Sequence, residues 1–448
     1  MAMKSDPKRV MPTHKVPTSR TDRFGLMGRL ALGVAGGMLS EGSRRVLRGQ
    51  WPSLQDVLLT PANVNRVAET LSKMRGAAMK LGQLISMDSG QILSPELSAL
   101  LDRLRGQAHV MPLGQVGQQL EQAWGPDWTE HFQKFHFTPI AAASIGQVHE
   151  AWLKDGRHVA VKLQYPNIAQ SINSDVDNAA SLFSWLRLLP EDVDVTTLLE
   201  QAKTQLHAEA DYVREAEHLR NYAELLGSDA RFKVPELIDA LCTREVLVME
   251  FLPGESIEQI AVASHDLRQR TAEHLVDLAF QEIFNWGVVQ TDPNYANYLF
   301  DHDNARVQLI DFGATRNYAA QEKQNLLGLL AACVDGNEQD ILQYAEAVGY
   351  LTPHDTQQYR RAVLELLNQA VSPLRVVQPY AFAESNLVEE IQDSVLRMQE
   401  QGNYGSFPPI EVLLLHRKMA GLFLLLQRLQ VSIDLRKCIQ CYLSSVEI

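Results

Sequence analysis

The sequence predicts an α+β protein, and three observations predict it. Short runs with strand-like alternation cluster between about residues 138 and 252, helical periodicity fills most of the remainder, and no internal repeat indicates a solenoid. The 448 residues suffice for two or three domains, and 46% apolar with 21% charged residues is globular composition, which excludes a chain disordered throughout.

The elements follow in order. Residues 1–50 form a basic segment in which ten Lys and Arg face three acidic side chains, +7, leaving −20 for the rest of a chain whose total is −13. That acidity argues against a nucleic-acid partner. Within this segment Phe24–Ser40 is apolar and rich in small residues. It reads either as a helix that docks on the protein or self-associates through Gly33-x-x-x-Gly37, or as a helix lying on an anionic membrane surface. The run between Arg29 and Glu41 is too short to cross a bilayer, and it lacks a secretory cleavage site. Four Cys suit a reducing compartment. The expectation is a cytoplasmic protein with no transmembrane helix; peripheral contact with the inner membrane is the alternative.

Residues 51–136 read as a helical extension. Val64, Val67, Leu71, Met74, Ala78, Leu81 and Ile85 make one stripe of a helix over 62–87, with Gly76, Lys80 and Gln83 together on the other side. The plain reading of that second face is solvation. Two more helices are expected over 95–136, broken at Pro112 and at the turn Trp124–Trp128. Residues 137–253 hold the strands: Ser144–Trp152 and Arg157–Gln164 joined by the turn Lys154–Arg157, then Leu237–Leu241 and Glu245–Leu252. Helical patterns over 174–188 and 195–226 fall between them, as an insertion over about 165–215. Residues 254–448 read as helical apart from Tyr298–Phe300 and Arg306–Ile310, with Asp301 and Asp303 solvated in the turn between. Val412–Gln427 is strongly apolar, but His416, Arg417 and Lys418 mid-run mark a buried helix rather than a span. The lone Cys438-Ile-Gln-Cys441 has no second ligand pair, so it reads as packed thiols rather than zinc ligands.

Four segments carry chemistry. They are the loop Ala141-Ala142-Ala143-Ser144-Ile-Gly146-Gln-Val148; Val159-Ala-Val-Lys162, its Lys fourteen residues after Val148; Asp292-Pro-Asn-Tyr-Ala-Asn297; and Asp311-Phe-Gly313, fourteen residues after Asn297. A nucleoside triphosphate with Mg²⁺ needs a cation on its phosphates, hard oxygen ligands for the metal, and a carboxylate near the attacking hydroxyl. Lys162 supplies the first, Asn297 and Asp311 the second, and Asp292 the third. Singly, such a strand or such a turn is commonplace; the ordered set resembles the protein-kinase signature. Two departures stand out. Ala141 and Ala143 occupy positions where a protein kinase has glycine, with a backbone cost wherever φ must be positive and a methyl against the phosphates. Gln290-Thr291 precedes the acid in place of His-Arg.

Those departures, with Lys80-Leu-Gly82-Gln83 and Glu209-Ala-Asp211, are similar to the UbiB/ADCK family of atypical kinases, associated with ubiquinone (coenzyme Q) biosynthesis. The wording looks closest to the family's mitochondrial, coenzyme-Q-linked branch. The resemblance covers about residues 60–435. It implies a protein-kinase-like two-lobe fold with a helical N-terminal extension, ATP and Mg²⁺ as cofactors, and Lys162 paired with Glu215 beside the catalytic Asp292. It implies nucleotide contacts from Ala141, Ala142, Ala143, Ser144, Gly146, Val148, Glu250 and Leu252, and metal ligation by Asn297 and Asp311. Lys80, Gly82 and Gln83 would form a regulatory motif laid across the pocket, with Lys80 meeting Glu209 and Asp211. Helical spacing puts Asp211 and Glu215 on one face. Because such a helix blocks a protein-substrate groove, ATP hydrolysis or a small substrate is implied before protein phosphorylation. The implied partners are an anionic membrane surface and quinone-biosynthesis proteins or lipid intermediates. A phosphotransferase acting on a protein, lipid or small hydroxyl compound, and a nucleotide-sensing module without turnover, are the alternatives.

Overall fold

Strand phase decides which side chains the first half of the chain holds out of its core. A computed structural model describes residues 70–71, 74–88, 110–143, 145–185, 195–401, 405 and 408–444. The readings of residues 1–50, of 62–69, of 95–109, of 186–188 and of Ser144 lie outside the described residues, as does the Gln83 side chain. The chain divides into two compact units. The first takes described residues up to Ala216 together with 236–251, the second takes 217–235 and everything from Leu252 on.

In the first unit, helix α1 (Arg75–Asp88) buries Leu81 and Ile85 of the predicted stripe. Lys80 on the other side is also only 8% exposed, so solvation is not its state. Helix α2 (Leu113–Trp124) starts directly after Pro112, a residue suited to a helix start because it has no N–H to satisfy. Strands β1 (Phe132–Phe135), β3 (Gly146–Leu153), β4 (His158–Gln164) and β5 (Val246–Glu250) lie side by side in that order, and β2 (Ala141–Ala142) pairs with β3. The hairpin turn is as expected, with Gly156 at φ 89°, a conformation glycine adopts without strain. Val159, Val161 and Leu163 of β4 enter a core with Val116 and Leu120 of α2, which leaves Ala160 and Lys162 on the other face. Helices α3 (Ile168–Trp185) and α4 (Val195–Glu209) follow and pack against α1, and α5 (Tyr212–Leu226) comes next.

Three local expectations fail here. Residues 132–135 are a strand rather than helix, since Phe132 pairs with Leu153; four residues are too few for a period to declare itself. The helix over 195–226 is two helices, because Asp211 Oδ1 accepts the Arg214 N–H at 3.3 Å and starts α5 afresh. Leu237–Leu241 is a 3₁₀ turn over Asp239–Leu241 with a single bridge from Leu237 to Met249.

In the second unit, β6 (Glu255–Ser256) and helix α6 (His265–Phe280) precede four short strands: β7 (Val288–Gln290), β8 (Tyr298–Asp301), β9 (Arg306–Leu309) and β10 (Thr315–Asn317). β8 pairs antiparallel with β9, and β7 with β10. Among the described residues six helices of nine residues or more follow: α7 (Ala320–Asp335), α8 (Glu338–Val348), α9 (Gln357–Ala370), α10 (Leu387–Glu400), α11 (Ile410–Leu429) and α12 (Leu435–Leu443). Asp301 is not solvated. It is 8% exposed and accepts the backbone N–H groups of Asp303 and Asn304, which closes the β8–β9 turn. Among the described residues no helix is long and apolar enough to cross a membrane, α11 included.

Candidate active site

Lys162 stands on the core-free face of β4, opposite Val148 of β3 and Leu247 of β5. Its Nζ donates to both Glu215 oxygens at 2.7 and 3.0 Å, and the side chains are 7% and 3% exposed. Two residues along the same strand, Gln164 Nε2 donates to the carbonyls of Ala210 and Arg244 at 3.0 and 3.2 Å, while Tyr212 N–H reaches Arg244 O at 3.2 Å. The strand that carries the lysine therefore also grips the junction from which its glutamate departs. Gln164 was not among the predicted residues; its place in the strand two positions from Lys162 was the available signal. At the same junction, Lys80 Nζ meets Glu209 Oε1 at 2.5 Å. Asp211 does not share Lys80. It caps α5 and lies 3.7 Å from Arg244.

The alanine loop corrects one expectation. Ala141 and Ala142 pair with Val148 and Gln147 as β2, and Ala143 N–H donates to Gly146 O at 2.9 Å. None of the three has positive φ, so alanine has no backbone cost here and only its methyl distinguishes it from glycine. Gly146 is required for packing: a Cβ there would run into the Leu163 carbonyl oxygen of β4. Gln147 turns into the core, where its Oε1 accepts the Met111 N–H at 3.0 Å. Glu250 pairs opposite Val159, on the face away from Lys162, and its Oε2 accepts the Glu236 N–H at 3.2 Å. Leu252 is buried in the second unit.

In the second unit, two strand pairs clamp two loops. Tyr298 opposite Leu309 and Gln290 opposite Thr315 bring residues 291–297 beside 310–314. Ile310 N–H donates to Asn297 O at 3.1 Å, and Thr291 Oγ1 donates to Ala314 O at 2.7 Å. The loops that carry Asp292, Asn297 and Asp311 are thereby held side by side. Asn297 Nδ2 donates to Asp292 Oδ2 at 3.0 Å, and Asp311 Oδ1 accepts the Gly313 N–H at 3.0 Å.

Residues 103–345, more than half of the chain, match the ABC1 atypical kinase-like domain. The chain belongs to the ABC1 (UbiB) family of atypical kinases. It is 36% identical to the atypical kinase COQ8B, mitochondrial, of Rattus norvegicus over 95% of this chain and 81% of that one. It is 32% identical to the atypical kinase COQ8, mitochondrial, of Saccharomyces cerevisiae over 96% of this chain and 86% of that one. Among solved structures, the Rv3197–erythromycin complex from Mycobacterium tuberculosis shares the fold, with TM-score 0.56 and 23% identity over 84% of this chain and 94% of that one.

In this ABC1 chain the donor set fits Mg²⁺. With its amide NH₂ bonded to Asp292, Asn297 keeps a carbonyl oxygen that could hold such an ion, and Asp311 could add a carboxylate; both are hard oxygen donors. Three charged residues of the site were not predicted in these roles. Arg417 NH2 donates to Asp292 Oδ1 at 2.7 Å. Lys418 Nζ lies 2.8 Å from Glu282 Oε2 and donates to the Tyr298 hydroxyl at 3.0 Å. Glu282, wholly buried, also accepts the Gln290 N–H at 3.1 Å and the Tyr222 hydroxyl at 2.5 Å. Burial, reinforced by the Glu282 charge, pushes the Tyr222 hydroxyl well above the ordinary tyrosine range.

Proposed function

We propose that this chain is an ATP-dependent enzyme that hydrolyses ATP, or transfers its phosphoryl group to a small acceptor, in support of ubiquinone biosynthesis. The observation that carries the reading is the clamped set in the second unit, an acid bonded to an amide beside a second acid, in a chain that also keeps a buried lysine–glutamate pair. Lys162, oriented by Glu215, binds phosphate oxygens. Asn297 and Asp311 would hold Mg²⁺, which when bound neutralises phosphate charge. Asp292 orients the attacking oxygen; a loose transition state asks for positioning and charge more than for proton removal. Lys80 held by Glu209 supports a helix committed to the nucleotide-binding unit rather than open to a protein substrate. The names of the rat and yeast relatives support the mitochondrial, coenzyme-Q-linked branch, and the basic N-terminal segment supports peripheral contact with anionic lipid.

The test is purified full-length chain with Mg-ATP, with and without anionic liposomes and phenolic quinone precursors. Phosphate release without labelled protein supports hydrolysis. Label on a lipid, protein or phenol selects phosphotransfer, and binding without turnover selects a sensing module. Asp311→Asn is expected to abolish Mg-dependent nucleotide binding; a retained Mg-dependent thermal shift would remove the metal role.

A further inference from the structure

One helix far along the chain contacts the loop that carries Asp292 at four places. Arg417 bonds Asp292 Oδ1 at 2.7 Å. Lys418 donates to the Tyr298 hydroxyl at 3.0 Å, at the loop's far end. Tyr295 donates its hydroxyl to the Gly421 carbonyl at 3.2 Å. Gly421 lies so close to Pro293 that a Cβ would collide with the proline ring, which is rigid and cannot give way. All four contacts come from two charged side chains and the bare backbone of Gly421 within an otherwise apolar helical run. A helix needed only to fill core would gain nothing from an arginine and a lysine there.

We propose that α11 is a positioning element for the catalytic carboxylate, and that Arg417 is the residue through which it acts. The inference rests on the reading that Asp292 serves phosphoryl transfer. The Asn297 amide alone holds one oxygen of Asp292, which leaves the carboxylate plane free to turn. A second, charge-assisted bond to the other oxygen fixes that plane. Each carboxylate oxygen accepts more than one bond, so a lone pair remains on each for an attacking hydroxyl or water. A guanidinium offers only donors, so Arg417 sets a fixed fork against one oxygen of Asp292 without competing with it as an acceptor. The Arg417 side chain is 19% exposed, and an isolated pair so placed would hold little; here the helix beneath it is pinned. Lys418, 6% exposed, is paired with the wholly buried Glu282, and the same Glu282 takes the Gln290 N–H two residues before Asp292. Helix and loop are therefore anchored on one buried carboxylate, and the distance from helix to Asp292 is set from below.

The experiment measures phosphate release and Mg-ATP affinity for full-length Arg417→Gln, Arg417→Lys, Gly421→Ala and Asp292→Asn, with melting temperature as the control for folding. Arg417→Gln is expected to lower kcat about 10- to 100-fold with Mg-ATP affinity within about twofold of wild type. Arg417→Lys should recover part of the loss, since it keeps the charge but not the fork. Gly421→Ala leaves every charge in place and should lower kcat in the same sense by lifting α11 off Pro293. In the Asp292→Asn background, Arg417→Gln should add nothing. Wild-type kcat in Arg417→Gln, or a loss of affinity matching the loss of kcat, would overturn the inference. Losses that multiply in the double variant would overturn it too. An active Asp292→Asn sinks the functional reading itself, whereas an inactive Asp292→Asn beside an active Arg417→Gln sinks only this inference.

Discussion

The two units hold the charged groups of the candidate site by different means, although the second also contains a buried lysine–glutamate pair, Lys418–Glu282. In the first, lysines and glutamates pair with each other in near-complete burial: Lys162 with Glu215 at 7% and 3% exposure, Lys80 with Glu209 at 10% and 19%. In the second, Asp292 is more open, at 27%, and is held from two sides by an amide five residues away and a guanidinium 125 residues away. A buried pair is part of the fold, because removing one partner strands a charge without water. A partly exposed pair such as Asp292–Arg417 chiefly orients, because water can replace the lost partner. Charge removal at Lys162–Glu215 should therefore read as lost stability, and at Asp292–Arg417 as lost turnover with the fold retained.

The largest effect that tests this contrast is Glu215→Ala. It strands Lys162 and is expected to cost about 3–5 kcal/mol, measured by denaturant unfolding. Replacing Lys162 and Glu215 together by Met should restore much of that stability while activity stays absent. An unchanged midpoint in Glu215→Ala would erase the distinction between the two pairs.

Next is an acid dependence located in the first unit. His149 is fully buried and satisfied as the neutral ring: Nδ1 donates to His136 O at 2.8 Å, and Nε2 lies 2.7 Å from the Gln147 amide nitrogen. Burial pushes it down to about 4 from 6.5, against the opposing His136 carbonyl bond. Its folded value is depressed, so between pH 6.5 and about 4 the unfolded chain takes up a proton that the folded chain refuses. The contribution is whole above 6.5 and is lost as pH falls through about 4, roughly 3 kcal/mol in all. His149→Gln should flatten the stability profile over that window; a profile as steep as wild type would assign the acid sensitivity elsewhere.

The smallest effect is Asp211→Ala, about 1 kcal/mol for a lost helix cap, read as a lower melting temperature with Lys162–Glu215 turnover chemistry retained. A collapse of activity without a stability change would instead give Asp211 a direct part in the site.

What was legible followed from local periodicity and charge. Alternation over Arg157–Gln164 predicted the strand and its hairpin, because side chains on a strand alternate regardless of what lies beyond; which face meets the core, and so where Lys162 stands, came from the structure. The intervals from Val148 to Lys162 and from Asn297 to Asp311 identified the chemistry, because they are properties of the chain alone. The Lys162–Glu215 pair came from family resemblance, and the structure places it as expected. Arg417 and Lys418 were visible only as interruptions of an apolar helix, since nothing local says what a buried cation faces. Gly146 reads in sequence as a flexible loop residue, yet it serves close strand contact, which depends on a neighbouring carbonyl.

The sequence by itself determined the α+β class, the central hairpin and the set of chemical groups, all of which depend on residues a few positions apart. Only the tertiary structure decided which counter-charge each group meets. Lys80 takes Glu209 rather than Asp211, and Asp292 takes Arg417, because those choices depend on how helices and loops more than a hundred residues apart pack, and packing distance leaves no trace in local spacing.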